Sequence, residues 1–335
     1  MTASVQPLRV AILSTAHLHA DSYASALSAS SDAVLTFLWD DDSERGHRKA
    51  EEYGTAFESD LDTALEDCDA VVICSENSRH RELTERAAAV GKHVLCEKPL
   101  AVTSEDARAM IAACQNAGVL LGTAFPVRHS GPAFEMRDAV QSSTLGQVLM
   151  IRGTNRGTNP GGWFVDPALS GGGAVTDHTV HVADVVRFIT GEEITSVYAE
   201  ADTSFYPDLP VEDCALLIME LSGGGFLSLD PSWSRPNKAF PTWGDVHMQL
   251  TGTGGVATFN YGAQHNKLYS NTRVRAAEPG WGDNPDALMI EDFLAAIRDN
   301  RPPLATGEDG LRAVEVVEAA YSSIHSGMPV PVRQA

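Results

Sequence analysis

A chain of 335 residues is longer than one ordinary hydrophobic core serves, so two domains are expected. Hydrophobic content of 43% and charged content of 21% are those of a globular chain. The formal net charge of -21 repels nucleic acid phosphates and anionic lipid, which leaves small neutral or hydroxylated ligands as the easier partners, with no nucleic acid and no membrane. No run of about 18 apolar residues is present to span a bilayer, and the start, MTASVQPLRV, has neither the basic nor the apolar region of a secretory signal, which reads as a cytoplasmic protein. The five cysteines are odd in number and form no C-x-x-C pair, so they read as small buried residues rather than a disulfide framework or a zinc knot.

Leu8 to Leu13 is a short apolar run, followed by the loop STAHLH and the helical composition ADSYASALSAS. A second run, Val34 to Trp39, ends on Asp40, and helical sequence follows from Ser43 to Glu52. A third strand, Asp69 to Cys74, leads into Ser75, Asn77 and His80; then come a helix from Arg79 to Val90, a strand from Lys92 to Cys96 and, after a further helical stretch, a strand from Val119 to Ala124. Strands that alternate with helices and are nearly continuous in hydrophobicity predict a parallel sheet covered on both faces, the Rossmann pattern. The G-x-G-x-x-G turn expected after the first strand is missing, because Ser14, Ala16 and His19 stand at its positions. A left-handed residue with a side chain costs about 1–2 kcal/mol, so the loop is expected to be regular. Small Ser14 and Ala16 keep most of the space, and backbone N–H groups around His17, Leu18 and His19 can receive phosphate at the helix start. The two histidines read as solvent-facing, or as further donors to that phosphate. Asp40 is placed to accept both ribose hydroxyls of an adenosine and to repel a 2'-phosphate, which favours NAD over NADP; DDDSER is equally readable as a solvated acidic turn.

Composition changes after Phe125, where Pro126, Gly131 and Pro132 mark a crossing, so the domains are read as 1–126 and 127–335. Helix-like Ala133 to Ser142 precedes a strand from Gln147 to Gly153. Strand character recurs at Ile194–Ala201, Asp213–Leu221, Gly225–Asp230, Val246–Thr251 and Gly255–Tyr261, with hairpin turns at Ser222 and Gly252. This predicts an α+β domain with an open, mainly antiparallel sheet, followed by helices over Pro285–Asn300 and Gly310–His325. Between the first two of its strands lies Gly171 to Ile189, in which three glycines leave room for a backbone passing close to something bulky and then run into a helix. On that helix Asp177, His181 and Asp184 share one stripe, and Val182, Val185, Val186 and Ile189 form the buried side. A carboxylate one turn from an imidazole can fix its tautomer and stabilise its charged form, which suits a general acid/base; an Asp near the positive end of a capped helix is the other reading.

With both regions read, the chain resembles the Gfo/Idh/MocA oxidoreductases, the glucose-fructose oxidoreductase and inositol dehydrogenase family. The resemblance rests on Cys96-Glu97-Lys98-Pro99-Leu100-Ala101, on Gly162-Trp163-Phe164 leading to the three glycines, Asp177 and His181, and more weakly on Asn77, His80, Arg128 and GEDGLRAVEVVEAAY. It implies an N-terminal dinucleotide domain, a C-terminal domain making homodimer or homotetramer contacts through its sheet, and a sugar or cyclitol held between them. It implies that Lys98, Asp177 and His181 carry the chemistry, with His181 as base, Asp177 orienting it and Lys98 stabilising the alkoxide. Arg128, Arg156, Trp163 and His178 are expected to line the substrate pocket, Trp163 foremost because an indole offers sugars an apolar face and a donor. Three competing readings stay open: a zinc site at Asp177, His178 and His181; tightly bound NAD used for transient oxidation in elimination, hydrolysis or epimerisation; and a silent nucleotide-binding sensor.

Overall fold

The computed structural model describes residues 6–262, 268–270, 275–277 and 282–333, so the opening MTASV lies outside it. Its first unit runs through Pro126 and includes Asp286–Leu311; its second comprises Val127–Pro285 and the chain from Arg312.

In the first unit β1 (Leu8–Leu13), α1 (Ala20–Ala29), β2 (Ala33–Trp39), α2 (Ser43–Tyr53), β3 (Ala56–Glu58), α3 (Leu61–Glu66), β4 (Ala70–Ile73), α4 (His80–Ala89), β5 (His93–Glu97), α5 (Ser104–Ala117) and β6 (Leu121–Ala124) follow in turn. The sheet order is β3-β2-β1-β4-β5-β6 and the pairings are parallel, the Rossmann arrangement. Side chains alternate along a strand, so Ala11 and Leu13 enter one core with Leu83 and Met110, while Val10 and Ile12 enter the other with Tyr23 and Leu27. Burial on both faces explains why these strands read as continuous apolar runs.

The second unit holds α6 (Gly131–Gln141), β7 (Val148–Gly157), α7 (Pro167–Ser170), α8 (Ala174–Thr190), β8 (Ile194–Asp202), β9 (Cys214–Leu221), β10 (Phe226–Asp230), β11 (Gly244–Gly252), β12 (Val256–Asn260) and the short pair β13 (Leu268–Ser270) and β14 (Arg275–Ala277). Helices α9 (Pro285–Asp299) and α10 (Gly307–Ser326) and strand β15 (Val330–Pro331) complete the chain. The large sheet has the order β12-β11-β7-β10-β9-β8-β15, antiparallel except between β7 and β10. Helix α8 packs on the face toward which Gly153 points; a Cβ there would stand 3.5 Å from Val182 Cγ1. The opposite face leaves Leu149, Leu216, Ile218 and Phe226 exposed.

The sequence places a single crossing after Pro126, but α9 returns to the first unit. Its apolar stripe of Met289, Ile290, Phe293 and Leu294 packs into the core of Val10, Ile12 and Leu27. Among the described residues no helix is long and apolar enough to cross a membrane.

Candidate functional site

The loop after β1 is not regular. Ser14 sits at φ 68, the left-handed region in which the first glycine of a dinucleotide turn is usually found. The side-chain cost is accepted because two hydrogen bonds fix the backbone: Ser14 N–H donates to the Trp39 carbonyl at 2.6 Å and His17 N–H to that of Cys74 at 2.9 Å. No side chain caps the start of α1, where His19 is already helical. A left-handed turn followed by an uncapped helix start fits a pyrophosphate. Asp40 fits an adenosine ribose less directly. It is buried, its Oδ2 accepts from Thr15 N–H at 2.8 Å and Thr15 Oγ1 at 2.7 Å, its Oδ1 accepts from Asp42 N–H at 3.0 Å, and Arg45 ion-pairs with it at 2.6 Å. Burial pushes its carboxyl up, but the bonds from Arg45 and Thr15 outweigh that and hold it below the usual range. The solvated acidic turn is thereby corrected at Asp40, which ties the loop to the end of β2, while Asp41, Asp42 and Glu44 are exposed.

The solvent-facing reading of the histidines is corrected as well. His17 is buried, and His19 Nδ1 lies 2.9 Å from Oε1 of fully buried Glu97. Tyr23, one turn into α1, donates its hydroxyl to the same oxygen, and Lys98 N–H donates to Oε2 at 2.8 Å. Burial alone raises the Glu97 carboxyl; the charges of His17 and His19, the bond from His19 and the charge of Lys98 reverse this and hold it well below the usual range. Lys98 is itself buried and joins Pro99 through a cis peptide. His80, expected at the cofactor, is buried beneath this turn with Nδ1 3.0 Å from the Pro99 carbonyl, and burial lowers its pKa. Ser75 and Asn77 are buried beside it, the Ser75 hydroxyl donating to the Glu76 carbonyl at 3.1 Å, while Leu18 is exposed.

In the second unit the glycines before α8 pass close to Tyr321 and Glu212. A Cβ on Gly172 would stand 1.9 Å from the Tyr321 hydroxyl and one on Gly173 2.0 Å from the Glu212 carbonyl oxygen. Glu212 Oε1 accepts from Gly173 N–H and Val175 N–H, both at 3.0 Å, and from Tyr321 at 2.8 Å, so a carboxylate from the β8–β9 connection caps the helix. Helix α8 has no solvent face over this length, because Asp177, His178, His181 and Asp184 are buried along with the valines. Asp177 Oδ2 accepts from the Trp233 indole N–H at 3.1 Å and lies 3.2 Å from His178 Nε2. His178 Nδ1–H donates to the Pro231 carbonyl at 2.7 Å, which fixes the ring. His181 stands one turn on, its ring 6.5 Å from that of Trp243 and steeply inclined to it.

Two expected pocket residues, Arg128 and Arg156, are placed otherwise. Arg128 grips Asp184 with Nε at 2.9 Å from Oδ2, both buried, and lies over Phe188, so it anchors the Pro126–His129 turn to α8. Arg156 is on the open face of the sheet, opposite α8, within 3.7 Å of Asp245, because its neighbours Asn155 and Gly157 point inward and strands alternate. Trp163 is stacked on Phe164 at 3.9 Å and 20°. Among the described residues the histidines and carboxylate close enough to share an ion are His17, His19 and Glu97, not the α8 group assigned to a zinc reading. Trp233, Glu212 and Tyr23 carry no motif and Tyr321 closes GEDGLRAVEVVEAAY without a role read from it; only the fold brings them to these groups.

Residues 8–125 match the oxidoreductase family, NAD-binding Rossmann fold, and residues 134–258 match the GFO/IDH/MocA C-terminal domain. The chain is 31% identical to the 1,5-anhydro-D-fructose reductase of Ensifer adhaerens, over 79% of this chain and 80% of the relative. It is 29% identical to an inositol 2-dehydrogenase of Rhizobium meliloti, over 90% of this chain and 92% of the relative. The solved structure of GenD2 from gentamicin A biosynthesis in complex with NAD superposes with a TM-score of 0.90 at 26% identity, covering 99% of this chain and 98% of that one.

Proposed function

The chain belongs to the Gfo/Idh/MocA oxidoreductases, an NAD-binding family, and from that premise we propose that it transfers a hydride between nicotinamide and a secondary alcohol of a neutral sugar or cyclitol. The observation that carries this reading is that α8 buries His181 one turn from the fixed carboxylate Asp177, in a chain that also holds a buried lysine at the end of its Rossmann strand β5. The chemistry NAD supplies when bound is hydride acceptance. His181 removes the hydroxyl proton as the carbinol carbon is oxidised. Asp177, held by Trp233, keeps negative charge one turn away and stabilises the imidazolium that results. Lys98 stabilises the developing alkoxide, or polarises the carbonyl in the reverse direction. Relatives named for anhydrofructose and inositol support a neutral polyol substrate, as does a net charge of -21.

The test is single-turnover hydride transfer in folded, NAD-saturated variants, with a screen of pyranoses, their acids and cyclitols. Loss of His181 as His181→Ala should slow transfer roughly 10²- to 10⁴-fold. Lys98→Met should cost on the order of 10²- to 10³-fold. Near-normal transfer in His181→Ala moves the base elsewhere, and turnover of polyols without accumulating NADH replaces the dehydrogenase by transient internal oxidation.

A further inference from the structure

Gly157 at the end of β7 pairs with Gly244 at the start of β11. A Cβ on Gly157 would stand 2.8 Å from His178 Cε1 and 3.5 Å from Trp243 Cε2, and one on Gly244 would stand 2.2 Å from the Arg156 carbonyl oxygen. Gly157 thus clears the space in which Trp243, immediately before β11, meets α8, and Gly244 lets the start of β11 close on β7. The backbone there is held, because the Trp243 carbonyl accepts from Thr158 N–H at 3.0 Å. The indole meets His178 edge to face, with centroids 5.1 Å apart at 85°, and meets His181 at 6.5 Å and 69°. It remains 38% exposed, although it packs on two buried histidines. Trp163, the indole expected from the sequence to receive a sugar, differs in that Phe164 already covers one of its faces.

We infer that Trp243 is the aromatic platform for the apolar C–H face of the substrate ring, and that it selects rings whose hydroxyls are equatorial. This rests on the proposed oxidation of a neutral polyol at His181. A ring with equatorial hydroxyls presents axial C–H bonds to the negative face of the indole, whereas an axial hydroxyl turned toward it loses its water without gaining a partner.

The experiment is steady-state kinetics at saturating NAD with scyllo-inositol, myo-inositol and glucose, alongside calorimetric NAD binding, for wild type, Trp243→Phe, Trp243→Leu and Trp243→Ala. Trp243→Ala and Trp243→Leu should raise KM for the preferred polyol about three- to tenfold while kcat changes far less, and the preference for the all-equatorial ring should shrink. Trp243→Phe should lie between these and wild type, with NAD affinity the same in all four proteins. If Trp243→Ala does not fold, Trp243→Leu decides on the same readout. Unchanged KM and preference in active variants, or a loss confined to kcat, overturns the platform while leaving the proposed function standing. Wild type that turns over none of the three polyols overturns the substrate reading and the platform with it.

Discussion

Ser14 and Asp40 show how single residues reach the ends that glycine and an open carboxylate serve elsewhere. Ser14 holds a left-handed conformation because Trp39 fixes its N–H, so Ser14→Gly should relieve the side-chain cost and raise unfolding free energy by about 0.5–1 kcal/mol after the extra entropy of glycine is counted. Ser14→Val should lower it, and urea unfolding measures both. Asp40 is masked by Arg45, so its charge is only partly presented to a cofactor. Arg45→Ala should unmask it and increase the affinity ratio of NAD to NADP, on the order of tenfold. An unchanged ratio in calorimetry removes Asp40 from cofactor choice.

At the scale of the element, α8 is held at its start by Glu212 and Tyr321 and at mid-length by Arg128 on Asp184. Removing one member of a buried ion pair is costly, so Arg128→Met should destabilise the protein by about 3–5 kcal/mol. The double variant Arg128→Met with Asp184→Leu should recover most of the loss, since both charges then leave together. Denaturant midpoints read this, and a double variant no better than the single one would show that Arg128 matters for something other than its partner. The same pairing explains why the stripe of Asp177, His181 and Asp184 is not one functional unit: Asp184 is an anchor, whereas Asp177 and His181 remain with the aromatic residues Trp233 and Trp243.

For the whole molecule, the pH dependence of stability follows from the closed cluster under the first loop. Burial lowers the His19 pKa, but the charge and hydrogen bond of Glu97 raise it above 6.5, so its contribution is complete below 6.5 and fades as pH rises through the folded value. Glu97 is depressed below 4.5, so its contribution is complete above 4.5 and fades as pH falls through the folded value. The thermal-stability gap between wild type and His19→Asn should therefore be widest below 6.5 and narrow on the alkaline side. The gap to Glu97→Gln should narrow on the acid side of 4.5. Thermal unfolding across this range checks both, and gaps that stay level with pH would separate the two groups.

The parallel sheet was legible because Leu8–Leu13 and Ala70–Ile73 are buried on both faces and so carry no polar alternation. Only the three-residue β3 and the helix after it gave too short a signal. The order from Glu97-Lys98-Pro99 to the glycines, Asp177 and His181 was legible because close backbone approach and a buried helix face restrict residue type locally. What the tertiary structure alone decided were the partners. Arg128 finds Asp184 across 56 residues and Tyr23 finds Glu97 across 74, separations at which no periodicity speaks. The return of α9 to the first core is of the same kind, since an amphipathic stripe states that it must be covered and not by what. Arg156 and Trp243 complete the contrast: strand alternation turns the arginine, expected from the sequence at the sugar, to the open face, and the missing side chain of Gly157 leaves room for an indole the sequence did not single out to reach the histidines.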